Sequence, residues 1–332
     1  MNQNDSENLD NEQIDLVLIG HFAIDTIVLK NPFSESHSLG GGVTYGSLAA
    51  SCFDPDKKIC IVSKVGANFN EKFLKLFANH NIDTSQVLSE GKDTTQYLLE
   101  YHNGSRDLSL LSKAANLKIG DIPKNYLQAK AIHLTPIADE FTPEFLKSLA
   151  NHELTDETIF GIDIQGVIRD FDEEGKICMK KDEKTRKMIF QILEHFGERM
   201  YFKASDKEAQ AVANEKDLVK ATEKLGESGA NILTTLGPKG LYFKAPGKEI
   251  IKINAYKPKK KMDETGAGDC FMATFLLEMG ALSNKQRNFE NTIEILKRAS
   301  ASASFLIEEK GPKGFKKKSE ILKRIKKNKI LK

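Results

Sequence analysis

The sequence predicts an α/β fold: a mainly parallel central sheet with helices on both faces and a small antiparallel β lid. Three observations carry this. Strand-like runs alternate with stretches of helical period through most of the 332 residues, the pattern of a parallel sheet covered by helix layers. Residues 22–30 and 94–111 break that rhythm, reading as extended without a long intervening helix, and so form a separate small sheet. No internal repeat or low-complexity linker divides the chain into independent halves.

The strand-like runs fall at 14–20 (IDLVLIG), 59–66, 131–137, 158–164, 200–205 (MYFKAS) and 230–237, and helical period is plain at 70–79, 142–149 and 184–195. The lid segments carry a turn signal at Asn103-Gly104. Ligands of such sheets bind beyond the carboxyl ends of the strands, where a flap of this kind excludes water. The expected organisation is an acidic tail at 1–13, one domain at 14–315, and a basic tail at 316–332 that reads as an amphipathic helix with Ile321, Leu322 and Ile325 on one side.

Apolar residues make up 40% of the chain and charged residues 29%, enough for a sizeable core and too much for a disordered chain. Without a long apolar run or a signal-peptide pattern, secretion and a membrane role are disfavoured. Cys52, Cys60, Cys178 and Cys270 lie far apart with no Cys-x-x-Cys pair, which suits reduced thiols and a cytoplasmic setting. The net charge of +2 arises from the tails, four acids in 1–13 against nine bases and one acid in 316–332, which leaves a slightly acidic body and disfavours nucleic acid as a partner. The seven histidines show no metal-ligand spacing, and there is no P-loop motif.

The sharpest segment is Met262 to Phe271 (MDETGAGDCF), after which Phe271, Phe275 and Met279 recur at helical spacing up to Gly280. The glycines therefore sit where a helix begins. Gly266, Ala267 and Gly268 then present free N–H groups and the positive end of the helix dipole to an anion, and Asp269 stands in the first turn, placed to take a proton from an attacking hydroxyl. The combination suits phosphoryl transfer to an alcohol, although an Asp in a first turn also serves capping alone.

From Asp263 to Asp269 the chain resembles the Asp-Thr-x-Gly-Ala-Gly-Asp signature of the ribokinase-like, or PfkB, family of carbohydrate and nucleoside kinases, with Glu264 in place of the first Thr. Thr235 to Gly240 (TLGPKG) is similar to its Thr-x-Gly-x-x-Gly nucleotide turn, Lys203 to Glu208 (KASDKE) to its Asn-x-x-Glu motif with Ser205 for Asn, and Gly41-Gly42 to its di-glycine. The resemblance runs from about Ile14 to about Gly314. It implies Asp269 as base, Gly266 to Gly268 as anion hole, and ATP with Mg²⁺ as donor, held by Thr235, Gly237, Gly240, Ser205 and Thr265, with Glu208 organising the metal through water. It also implies a homodimer paired through the lid.

At the substrate end the resemblance places Asp25 on a hydroxyl, beside Gly41 and Gly42. Gly-Gly-x-x-Tyr-x-x-x-Ala from Gly41 and the segment Asp163 to Arg169 look more like archaeal and inositol-type branches, which makes Gln165 and Arg169 further candidates for a polyhydroxy ligand. The alternative reading of Arg169 is a surface ion pair with Asp170 or Asp172, and Arg106 beside the lid turn is a solvated residue or a lid contact. The expected substrate is a small polyhydroxy compound, a sugar or a cyclitol such as myo-inositol. The alternatives are a nucleoside, with Phe22, Tyr45 and Tyr97 to receive a base, and a catalytically silent metabolite binder. Lys257, Lys259, Lys260 and Lys261 read as a solvated loop before the signature.

Overall fold

The computed structural model describes residues 13–30, 33–102, 105–152 and 154–327. In chain order the first strands are β1 (Leu16–Ile19), β2 (Ala23–Lys30), β3 (Phe33–Gly40), β4 (Ile59–Val65), β5 (Ile82–Ser89), β6 (Thr95–His102), β7 (Ser105–Ser112) and β8 (Ala131–Leu134). They are followed by β9 (Ile159–Asp163), β10 (Arg169–Phe171), β11 (Ile177–Met179), β12 (Met200–Ser205), β13 (Asn231–Thr235), β14 (Leu241–Lys244) and β15 (Ile251–Ile253). The helices are α1 (Gly42–Phe53), α2 (Leu74–Ala78), α3 (Pro143–Ala150), α4 (Gln165–Ile168), α5 (Glu183–Phe196), α6 (Asp206–Ala213), α7 (Leu218–Gly226), α8 (Ala267–Gly280), α9 (Phe289–Leu306) and α10 (Lys318–Lys326).

The main sheet has the order β15-β14-β13-β12-β9-β8-β1-β4-β5, parallel from β13 to β5, with β14 and β15 added antiparallel at one edge. Successive strand residues face opposite helix layers. Val17, Ile19, Ile132, Leu134, Phe160, Ile162 and Phe202 join one core with residues of α3, α5, α6 and α7. Leu16, Leu18, Ile59, Ile61, Ile159, Tyr201 and Leu233 join the other with α1, α8 and α9. Burial on both faces is why these strands read as continuous apolar runs, each large side chain contributing roughly 1.5–3 kcal/mol.

The second sheet, β3-β2-β6-β7, draws on both segments that broke the helical rhythm; β2 pairs β3 and β6 pairs β7 antiparallel, while β2 and β6 run parallel. Strand β3 was not visible as a strand: FSESHSLG lacks apolar alternation because its first residues are exposed at the sheet edge. Strands β5, β14 and β15 give little signal for other reasons: β5 is polar and half-exposed at the edge of the main sheet, and β14 and β15 are only four and three residues long. The turn at Asn103-Gly104, the side chain of Arg106 and residues 1–12 lie outside the described residues.

Two helices depart from expectation. The stretch at 70–79 is a 3₁₀ turn over 71–73 followed by the short α2, set off by the Asn70 side chain accepting from the Lys72 N–H at 3.1 Å. Helix α8 carries no single apolar stripe, because every residue from Asp269 to Gly280 is buried between the sheet, α1 and α9. The basic tail folds as α10, with Ile321 and Arg324 buried against the domain.

Candidate active site

One cavity of about 860 Å³ lies beyond the carboxyl ends of β9, β12 and β13, between the main sheet and the small sheet. The residues picked out by the sequence motifs line it: Asp25, Gly41, Gly42, Gln165, Arg169, Ser205, Glu208, Thr235, Gly237, Gly240, and Thr265 to Asp269. The topology explains the convergence, since parallel strands deliver their last residues and the following turns to one edge of the sheet.

The start of α8 stands at the centre. Gly266 is its N-cap at φ 76°, a left-handed conformation that a side chain disfavours, and a Cβ there would overlap the Tyr45 ring. A Cβ on Gly268 would come 2.7 Å from Lys203 Nζ, and one on Gly42 would collide with Thr135 Oγ1 and come 2.8 Å from Asp269 Oδ1. These glycines leave room for functional groups that close on the same point. Asp269 is buried, and Thr135 Oγ1 donates to its Oδ1 at 3.4 Å. Burial, with the neighbouring Asp163 carboxylate, pushes the Asp269 carboxyl up to about 6, against the opposing pull of Lys203, Thr135 and Arg169. Such a group is ionised at neutral pH yet basic enough to accept a proton in transfer.

Lys203 and Asp163, at the ends of β12 and β9, form a buried ion pair beside Gly268. Sequence reading gave neither a role, although a lysine inside the apolar run MYFKAS was a signal, because lysine is almost never buried without a task or a partner. His133, on the same face of β8, is fully buried with neither ring nitrogen hydrogen-bonded, and burial lowers its pKa to about 4, so it stays neutral.

Toward β13 and β14 the cavity is bounded by Thr235, Gly237, Gly240, Tyr256, Ala303 and Ile307, with Lys257, Lys259, Lys260 and Lys261 exposed along its rim. The lysine loop thus borders the cavity rather than open solvent alone. Its place is fixed from behind: Glu308 accepts the Lys259 N–H at 2.6 Å and is held by Arg324 of α10, also at 2.6 Å. Ser205 and Glu208 form a capping box at the start of α6, the Ser205 Oγ accepting the Glu208 N–H and Glu208 Oε2 accepting the Ser205 N–H. That reciprocal bond fixes the start of α6. Among the described residues no cluster of three or more His, Cys, Asp or Glu could hold a metal. Mg²⁺ keeps much of its hydration shell and takes one carboxylate together with phosphates, a demand that the cavity's acids, Glu208 among them, could meet.

Toward the small sheet the lining is Ala23, Asp25, Tyr97, Leu99, Leu108, Ile137, Gln165 and Arg169. Arg169 turns inward, Nη2 donating to Gln165 Oε1 at 2.8 Å and Nη1 to the Ile137 carbonyl at 3.1 Å, and not to Asp170 or Asp172. Tyr45 and Tyr97 line the cavity, but Phe22 does not; it is buried against Phe69 and Phe77. Cys270 points away into the core beside Ser302, its thiol pushed up to about 12 by burial, so it is no nucleophile.

A family model described as pfkB family carbohydrate kinase matches residues 56–318. A curated cytidine kinase from Thermococcus kodakarensis is 28% identical over 268 residues, covering 79% of this chain and 87% of that protein. Among solved structures, a pyrophosphate-dependent kinase in the ribokinase family, complexed with a pyrophosphate analog and myo-inositol, superposes with a TM-score of 0.71 at 22% identity over 93% of this chain and 99% of that one. The nucleoside kinase of Methanocaldococcus jannaschii, an archaeal member of the ribokinase family, gives 0.71 at 18% identity over 96% of this chain and all of that one. These structural likenesses establish a ribokinase-like fold. With the family model spanning most of its length, the chain belongs to the pfkB family of carbohydrate kinases, phosphotransferases that act on hydroxyl groups.

Proposed function

We propose that this kinase transfers the γ-phosphoryl group of ATP to a hydroxyl of an uncharged nucleoside, with Asp269 as the base. The observation that carries the reading is the buried Asp269 carboxylate, raised to about 6, standing at the α8 N-terminus in the middle of one cavity. The acceptor hydroxyl lies against Asp269, which takes its proton, and the N–H groups of Gly266 to Gly268 with the α8 dipole stabilise the charge on the phosphoryl in flight. ATP is the usual donor of ribokinase-family kinases, and Thr235, Gly237, Gly240, Thr265 and Ser205 are the residues proposed to hold it here. Mg²⁺ would be held through Glu208 and supply neutralisation of the phosphate oxygens.

A nucleoside is favoured over a cyclitol by the wall facing Asp25. Ala23, Leu99, Leu108 and Ile137 are apolar and Tyr45 and Tyr97 aromatic, a surface on which a base rests without losing hydrogen bonds, whereas a cyclitol presents hydroxyls all round. Asp25 then serves the ribose, and the Gln165–Arg169 pair the polar edge of the base. The relative named cytidine kinase supports the same class. The four free cysteines fit a cytoplasmic setting, and the exposed edge strand β3 suits a homodimer through the small sheet, which light scattering would test. The test of substrate is ADP release from Mg-ATP over a panel of nucleosides, myo-inositol, free sugars and sugar phosphates. Turnover is expected with nucleosides; turnover confined to myo-inositol or sugars would overturn the acceptor assignment.

A further inference from the structure

We propose that Lys203 is a catalytic residue, its buried ammonium contacting the phosphoryl group during transfer. This rests on the reading of Asp269 as base and of the α8 N-terminus as the anion hole. Six cations line the cavity, but Lys257, Lys259, Lys260 and Lys261 are exposed at the rim and Arg169 is engaged by Gln165 and the Ile137 carbonyl. Lys203 alone is buried at the depth of Asp269, and its ammonium stands where a side chain on Gly268 would be, against the backbone of the anion hole. Three carboxylates act on it, Asp163 in contact and Glu208 and Asp269 through space, and they keep it protonated despite its burial.

Those three acids and an anionic donor converge on one water-poor point. Helix-terminal N–H groups alone leave that point strongly negative, and in low dielectric a fixed cation is worth far more than a rim lysine. In the step itself the acceptor oxygen forms its bond to the γ-phosphorus, the bond from that phosphorus to the bridging oxygen breaks, and its electron pair leaves on ADP. The hydroxyl proton passes to Asp269, and Lys203 keeps its own protons while charge builds on the equatorial oxygens beside it.

The competing role is structural, with Lys203 serving only to neutralise Asp163. A charge-neutral double variant separates the two. Lys203→Met with Asp163→Asn leaves no stranded charge, so a purely structural lysine predicts near-normal turnover, whereas a catalytic one predicts a kcat loss of about 10²–10³-fold. The single Lys203→Met variant is to be made as well, but the double variant decides the matter even if the single one fails to fold. A binding readout accompanies activity: by calorimetry the double variant is expected to bind Mg-ATP within about tenfold of the wild type, yet to lose its extra affinity for ADP with aluminium fluoride and acceptor, which resembles the transition state. Near-normal kcat or retained aluminium fluoride affinity in the double variant would overturn the proposal. Asp269→Asn is the control that keeps the two readings apart. If it stays active, the site assignment itself fails; if it is inactive while the double variant turns over, only the role of Lys203 falls.

Discussion

Asp269→Asn makes a prediction in which catalysis and stability move in opposite directions. The carboxyl is held at about 6 in the folded chain against an ordinary 3.8, so folding disfavours its ionised form. A shift of about two units corresponds to about 3 kcal/mol of destabilisation once the group is ionised. That cost is absent below pH 3.8, grows as pH rises, and is complete above about 6. The neutral, nearly isosteric amide escapes it. The Asn variant should therefore be more stable than the wild type by about 3 kcal/mol at pH 8 and by about half that at pH 5, measured by urea unfolding at both pH values. Turnover should fall by about 10²–10⁴-fold, the contribution of a positioned base, and wild-type kcat/KM should drop as pH falls through about 6. A stability difference independent of pH would refute the account of why this carboxyl is perturbed, and unchanged turnover would refute its role as base.

Further outcomes follow from the same geometry. Gly268→Ala places a methyl 2.7 Å from Lys203 Nζ, so kcat should fall at least tenfold while unfolding midpoints change little; Gly266→Ala, strained at φ 76° and pressed on Tyr45, should instead cost about 1–3 kcal/mol in denaturant unfolding. Arg324→Met removes the guanidinium that holds Ser304 and Glu308, costing about 1.5–3 kcal/mol, and by loosening the Lys259 loop should raise KM for ATP with little change in kcat. Deleting residues 316–332 takes the buried Ile321 as well and should yield little folded protein, seen as loss of a cooperative thermal transition. Arg169→Ala should raise KM for the acceptor several-fold and leave KM for ATP unchanged, as steady-state kinetics in each substrate would show.

What was legible in the chain follows physical rules. Strands buried on both faces, such as IDLVLIG and TIFGIDI, announce themselves because most of their residues are apolar whichever face they point to. Edge strands such as FSESHSLG do not, since hydrogen bonding rather than burial makes them strands. In the site, glycines flanking an acid at a helix start were readable from local sequence, because the helix terminus itself creates the chemistry. Lys203 and Asp163 meet only when β9 and β12 pair in register, Lys203 opposite Asp163, a contact across 40 residues that no local pattern encodes. Phe22 misled for the converse reason: an aromatic beside the lid strand turns into the core when Phe69 and Phe77 offer it a partner.

The central claim is that phosphoryl transfer occurs at the α8 N-terminus, and a crystal structure with a non-hydrolysable ATP analogue, Mg²⁺ and a nucleoside tests it most directly. The account predicts the γ-phosphate on the N–H groups of Gly266 to Gly268, a nucleoside hydroxyl within hydrogen-bond reach of Asp269, and the base against Leu99, Leu108 and Ile137. A nucleotide bound with its γ-phosphate away from α8, or an acceptor hydroxyl out of reach of Asp269, would contradict it.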